Sequence, residues 1–206
     1  IADRVAGLAA ELDEVLDPGA VLVGVLKGCL PFMADLIRRL STPILVDFLA
    51  LSALGPDRGR VRLTNDLSID VDGRQVVLVE GLVDTGFRLD YLRRHVLEHG
   101  PSELRVCALF DRAGRRVLPI PLDHVGFTTD AAFLVGYGLD HRGGFRNLPG
   151  VVEWTWLTWT AQGTGSTGRS VTPAGQRSGT RGPAGPDIHP TLPADPSADS
   201  FLGVFV

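Results

Sequence analysis

The sequence predicts an α/β fold, a mostly parallel sheet with helices on both faces, and three observations lead there. Short apolar runs rich in β-branched residues, such as Val21 to Leu26 and Val76 to Val79, read as strands buried on both sides. They alternate with stretches of helical periodicity, so successive strands are joined by crossovers rather than hairpins. Sheets of this kind bind ligands outside the carboxyl ends of their strands. Three polar turns fall at such ends: Lys27-Gly28, Glu80 to Gly86, and Asp111 to Arg116.

Taken in order, Ile1 to Leu16 places Val5, Leu8, Ala9, Leu12 and Leu16 on one face of an amphipathic helix, which Asp17-Pro-Gly19 ends. The strand Val21 to Leu26 follows, then Lys27-Gly28 and a helix from about Leu30 to Leu40, with Pro31 in its first turn. Pro43 to Leu51 reads as a strand, Gly55 to Gly59 as a polar loop, Val61 to Asp66 as extended chain, and Asp72-Gly73 as a turn. The strand Val76 to Val79 leads into an acidic turn and a helix running to about His99, stopped by Gly100-Pro101. Leu104 to Phe110, Asp123 to Phe127 and Phe133 to Tyr137 are the remaining strands. Trp154, Trp156 and Trp159 crowd into a further edge strand, and from Ala161 to Ser200 Gly, Pro, Ser and Thr dominate, a composition expected to stay disordered.

The chain has 206 residues, enough for one domain with a substantial core. No apolar run approaches the roughly 20 residues that span a bilayer, and the amphipathic, acid-bearing beginning is unlike a signal peptide. The net charge of −4 argues against a nucleic-acid surface. Cys29 and Cys107 sit in apolar surroundings without metal-ligand spacing and read as buried reduced thiols. Nineteen Arg accompany a single Lys, Lys27. Its retention points to a place where a compact ammonium is needed and a planar guanidinium does not replace it.

The stretch from Val76 to Leu89 organises the rest. A buried strand runs into Glu80 and Asp84, and Thr85-Gly86 opens a helix whose first N–H groups can take a phosphate beside the carboxylates. A plain βα turn has the same outline.

In four stretches the chain resembles the purine phosphoribosyltransferases of hypoxanthine-guanine type, in their bacterial form. Val25-Leu-Lys-Gly28 with Phe32 to Leu36 is similar to the family's pyrophosphate loop and helix. Val79-Glu-Gly-Leu-Val-Asp-Thr-Gly86 is similar to its phosphoribosyl-pyrophosphate motif. Asp123 to Phe127, and Phe133-Leu-Val-Gly-Tyr-Gly-Leu-Asp140 with Phe145-Arg-Asn-Leu-Pro149, are similar to its purine-binding end. The likeness covers residues 1–152 in family order, so it implies a phosphoribosyltransferase domain over 1–152 and a low-complexity tail over 153–206.

The resemblance implies a type I phosphoribosyltransferase-like fold with a small hood. It implies transfer of phosphoribosyl from phosphoribosyl pyrophosphate to hypoxanthine or guanine, giving IMP or GMP and pyrophosphate. It also implies magnesium, a cytoplasmic homo-oligomer, and no nucleic-acid or membrane partner. Carried over residue by residue, Lys27 and Gly28 hold pyrophosphate, with Arg146 as a further cation. Asp84 is the general base for the purine N–H, and Thr85 and Gly86 cradle the 5′-phosphate. Arg112 stands where the family places the Lys that reads the exocyclic oxygen, Phe133 stacks on the purine, and the Leu134 backbone reads its edge. Glu80 takes ribose hydroxyls or magnesium, and Asp140 magnesium or the base. Without the motif, Phe133 reads as core, Asp140 as a helix cap and Arg146 as a solvated surface residue.

The chain departs from the family pattern at the site. The second acid of the usual pair is Gly81, and Arg88 replaces a Thr or Ser in the phosphate loop. Ala53-Leu54 replaces the Ser-Tyr pair of the closing loop, which is also a few residues short between Gly55 and Asp66. Each loss is of a kind that costs on the order of 10- to 1000-fold in rate. A second reading therefore stands beside the enzyme: an impaired relative that binds phosphoribosyl pyrophosphate or nucleotide as a sensor or partner.

Overall fold

The computed structural model describes residues 1–54 and 60–154. In chain order the elements are α1 (Ala2–Asp13), β1 (Val21–Leu26), α2 (Leu30–Ile37), β2 (Leu45–Leu54), β3 (Arg60–Asn65) and β4 (Gln75–Val83). Then come α3 (Phe87–Leu97), β5 (Glu103–Asp111), a 3₁₀ turn (Ala113–Arg115), β6 (His124–Thr128), β7 (Leu134–Val135) and β8 (Val152–Glu153).

Six strands form one sheet in the order β3-β2-β1-β4-β5-β6, parallel except for the β2–β3 hairpin. The predicted parallel sheet is present, and its strands bury both faces as their apolar runs require. Side chains alternate along them. Leu22, Val77, Val79, Cys107 and Leu109 join Val5, Leu8 and Leu12 of α1 and Phe32, Met33 and Leu36 of α2 in one cluster. Val21, Val23, Val76, Leu78 and Val106 join Leu89, Leu92 and Val96 of α3 in the other. Both cysteines are free and buried, and burial pushes each thiol up to about 12.

A second, two-stranded antiparallel sheet, β7–β8, forms a small hood packed through Leu134, Tyr137, Leu139 and Val151 against the α1–α2 side. The predicted strand Phe133–Tyr137 is only two residues long, because Gly136 and Tyr137 take positive φ values of 95° and 49° and turn the chain. The predicted acidic turn after Val79 is likewise corrected: β4 continues through Glu80 and Gly81 to Val83, so both are strand residues. None of the described helices is long and apolar enough to cross a membrane. The expectations for Gly55 to Gly59, Trp156, Trp159 and the tail lie outside the described residues.

Candidate active site

Strand order fixes where a ligand fits. From β1 the chain moves outward through α2 to β2, and it later re-enters on the other side of β1 as β4. The order reverses between β1 and β4, and the crevice beyond their carboxyl ends is the switch point where such sheets take ligands. A cavity of about 540 Å³ opens there. The turns after β1, β4 and β5 all reach it, as the sequence predicts, and the hood supplies Leu134, Leu139, Asp140 and Arg146. Lys27, Arg88, Arg112, Arg115 and Arg146 face Glu80, Asp84 and Asp140, so five cations and three carboxylates leave the wall at +2 in a chain of net −4. A wall of that sign suits a polyanion.

At the end of β1 the peptide from Leu26 to Lys27 is cis, and the Lys27 side chain is exposed, its ammonium without a partner among the described residues. Behind it the Gly28 carbonyl is wedged between two glycines. A Cβ on Gly81 would lie 2.8 Å from that oxygen, and one on Gly138 would lie 2.4 Å from it. Gly138 also has φ +93°, which only glycine adopts freely. Three motifs distant in sequence therefore meet at one backbone oxygen, and the glycine that replaces the family's second acid is what lets the loop sit so close.

The carboxylates differ sharply. Glu80 is 2% exposed, and its Oε2 accepts from Nη2 of Arg88 at 2.8 Å. Burial pushes its carboxyl up, opposed by the Arg88 charge. Glu80 lines the cavity with Arg88, in place of a phosphate-loop hydroxyl, on one of its two carboxylate oxygens. Asp84 is the reverse. Its Oδ1 lies 3.1 Å from Arg115 Nε and 3.4 Å from Arg112 Nη1, yet no N–H aligns on it, and the oxygen is buried without a hydrogen bond. The oxygen is held between two cations and keeps acceptor capacity for a further hydrogen bond. Gly86, with φ +92°, starts α3 with no side-chain cap, and its Cβ would meet the Leu118 carbonyl at 3.0 Å. The first N–H groups of α3 are therefore available to a phosphate.

Arg112, 2% exposed, donates through Nη2 to the Ala132 carbonyl, and burial pulls its pKa down while Asp84 opposes the shift. It touches the cavity, but two of its nitrogens face protein groups, so its predicted reading of an exocyclic oxygen is not free in this state. Phe133 is not among the residues that line the cavity; its ring meets His141 edge-on at 5.3 Å, within an aromatic group that includes Trp154 and Phe145. Asp140 accepts from Arg146 Nη2 at 2.6 Å and from the Gly143 amide at 2.6 Å, while Arg146 Nη1 donates to Gly138. Arg115 and Leu139 also line the cavity without having been singled out. Arg115 lies inside a predicted turn, but spacing cannot say which of Arg112, Arg115 and Arg116 turns inward; Arg116 pairs with Asp111 instead.

Of the predicted metal ligands, Asp140 fits magnesium, which takes one or two carboxylates together with substrate oxygens. Its carboxylate is partly exposed at the mouth and held by a cation that a ligand can displace. Glu80 also lines the cavity, but it is far more deeply buried, with Arg88 on one oxygen.

Known proteins share this sequence and fold over most of the described chain. The family model described as "Phosphoribosyl transferase domain" matches residues 1–142. The hypoxanthine-guanine phosphoribosyltransferase of Bacillus subtilis is 39% identical over 153 residues, covering 72% of this chain and 85% of that protein. The hypoxanthine phosphoribosyltransferase of Haemophilus influenzae is 35% identical over 152 residues, covering 70% and 85%. A crystal structure of the Bacillus anthracis hypoxanthine-guanine enzyme superposes with a TM-score of 0.71 at 33% identity, covering 75% of this chain and 93% of that one. The Trypanosoma cruzi hypoxanthine enzyme, solved as a lysine-to-arginine mutant complexed with the product IMP, gives 0.72 at 29% identity, covering 81% and 91%.

Proposed function

The chain belongs to the hypoxanthine-guanine phosphoribosyltransferase family, and from that membership we propose that it transfers phosphoribosyl from phosphoribosyl pyrophosphate to hypoxanthine or guanine in purine salvage. The products are IMP or GMP and pyrophosphate. The observation that carries the reading is the Asp84 oxygen, buried without a hydrogen bond in a cavity of net +2.

In this reading the anionic substrate enters the cationic crevice with its 5′-phosphate at the start of α3, held by the Thr85 hydroxyl and the N–H groups that follow Gly86. Lys27 and the backbone at Gly28 take the pyrophosphate, and Arg146 adds a second cation, so fixed charge awaits the charge that develops on the leaving group. Asp84 attracts the ring N–H proton of the purine as the new bond forms. Arg112 and Arg115 keep its carboxylate in place, and Arg112, tied to Ala132, holds the strap that carries Leu134 to the base edge. Asp140 would hold magnesium, which when bound would supply positive charge to offset the charge that develops on the leaving group. The protein acts as a cytoplasmic homo-oligomer.

Binding without turnover is favoured by one observation, the closed Glu80–Arg88 pair. One assay separates the readings: pyrophosphate release from phosphoribosyl pyrophosphate with hypoxanthine or guanine and magnesium, alongside calorimetry of ligand binding. Release with either base supports the transferase. Binding without release sinks it in favour of the sensor.

A further inference from the structure

Away from the crevice, one group of side chains has no role in phosphoribosyl transfer. His95 on α3 and His99 just past its end stand four residues apart, so their rings share a face, with centroids 4.9 Å apart. Asp66, the residue after β3, reaches the same face, and its Oδ1 lies 2.6 Å from His95 Nε2. One ligand atom from each of the three lies within 4.8 Å of the others. We propose that Asp66, His95 and His99 form a binding site for a borderline-soft divalent transition metal, zinc foremost.

The chemistry of the three groups supports that choice. Two imidazoles with one carboxylate suit zinc, nickel or cobalt and not magnesium, which prefers oxygen alone. His99 Nδ1 lies 2.9 Å from the His95 carbonyl, which can only accept, so Nδ1 carries the proton. That leaves the His99 Nε2 lone pair free, and a metal-bound histidine typically has its other nitrogen donating to a carbonyl in this way. Zinc bonds to nitrogen and oxygen of about 2.0–2.2 Å set neighbouring ligands about 3.3 Å apart in a tetrahedron. The 2.6 Å His95–Asp66 contact therefore opens by about 0.7 Å while His99 moves in. Asp66 and His99 are exposed, so small side-chain rotations suffice, and solvent supplies the remaining position. A metal here ties α3, which follows the Thr85-Gly86 turn, to the return arm of the β2–β3 hairpin, whose Thr64 lines the cavity.

The test titrates the metal-free full-length chain with Co²⁺ and follows visible absorption. The wild type should take one equivalent, giving the intense bands of a low-coordinate site with nitrogen ligands, and Zn²⁺ should displace it one for one. His99→Gln and Asp66→Asn should each weaken Co²⁺ at least about tenfold. The double variant His95→Gln, His99→Gln should abolish the bands while circular dichroism stays unchanged. Zn²⁺ should raise the melting temperature of the wild type and not of the folded double variant. Absence of bands in the wild type, or equal Co²⁺ affinity in the folded double variant, overturns the proposal. Because the readouts are spectral and thermal, failure of the transferase reading does not decide them.

Discussion

Asp84 and Glu80 sit four residues apart on one strand and the turn after it, and the fold treats them in opposite ways. Asp84→Asn keeps the shape but removes the proton acceptor. It should lower kcat by about 10²- to 10⁴-fold with phosphoribosyl pyrophosphate binding nearly unchanged, read from pyrophosphate release and calorimetry. Glu80 belongs to stability. Burial raises its pKa above the ordinary 4.5 against the pull of Arg88, so the folded state holds the proton more readily than the unfolded chain. That favourable contribution is complete below 4.5 and is lost as pH rises through the folded value. Glu80→Gln removes the loss. Its melting temperature relative to wild type should climb with pH above 4.5 and then level off; a difference independent of pH contradicts the account.

Among elements, the decisive contacts are between a strand and a loop from elsewhere. Gly81 on β4 lies against the loop after β1, and even one methyl there presses on backbone, not on a side chain that can swing away. Gly81→Ala should cost about 1–3 kcal/mol in chemical denaturation. Asp47 on β2 is buried and accepts from the amides of Ser68 and Ile69, pinning the segment between β3 and β4. Burial alone would raise its pKa, but the bonds from Ile69, Phe48 and Ser68 outweigh it and hold the carboxyl below 3.8. Its stabilisation is present above 3.8 and disappears as pH falls through the lowered folded value. Asp47→Ala should cost about 1–3 kcal/mol at neutral pH by leaving those amides unpaired, an effect that fades in acid. These elements are legible in the sequence to different degrees. β1 and β5 carry continuous apolar runs and can be read to within two residues of their ends. β4 reads too short because Glu80 and Gly81 resemble a turn in composition; pairing with β5 on one side and closure by Arg88 keep them in the strand. The hood strand reads too long because nothing in Gly136-Tyr137 announces that a tyrosine will take a left-handed conformation.

Across the whole molecule, charge is distributed against its own sum. A cavity at +2 in a chain at −4 should attract a polyphosphate from a distance and lose that advantage in salt. The KM for phosphoribosyl pyrophosphate should therefore rise with ionic strength while the KM for the uncharged base stays nearly constant, measured by initial rates. The convergence of the three turns and the hood is legible, because strand alternation and the motif order dictate it. Which side chains face inward is not. Phe133 turns away to the aromatic group around His141 and Trp154, and Arg112 and Arg115 share Asp84; both outcomes depend on packing between segments remote in sequence. The His95–His99 pair, by contrast, is visible as a four-residue spacing on a helix and gains meaning only when the fold brings Asp66 beside it.

The Gly28 carbonyl, seated against Gly81 and Gly138, also sets the order in which this site can change. Positions 28, 81 and 138 behave as one mutational unit, and their effects will not add. An acid introduced at 81 meets the loop before it can meet a ribose, so it is deleterious on its own background. It becomes useful only after the loop has drawn back. A lineage or an engineer seeking the second carboxylate must alter the loop first, and the shortest path by residue count is not the accessible one.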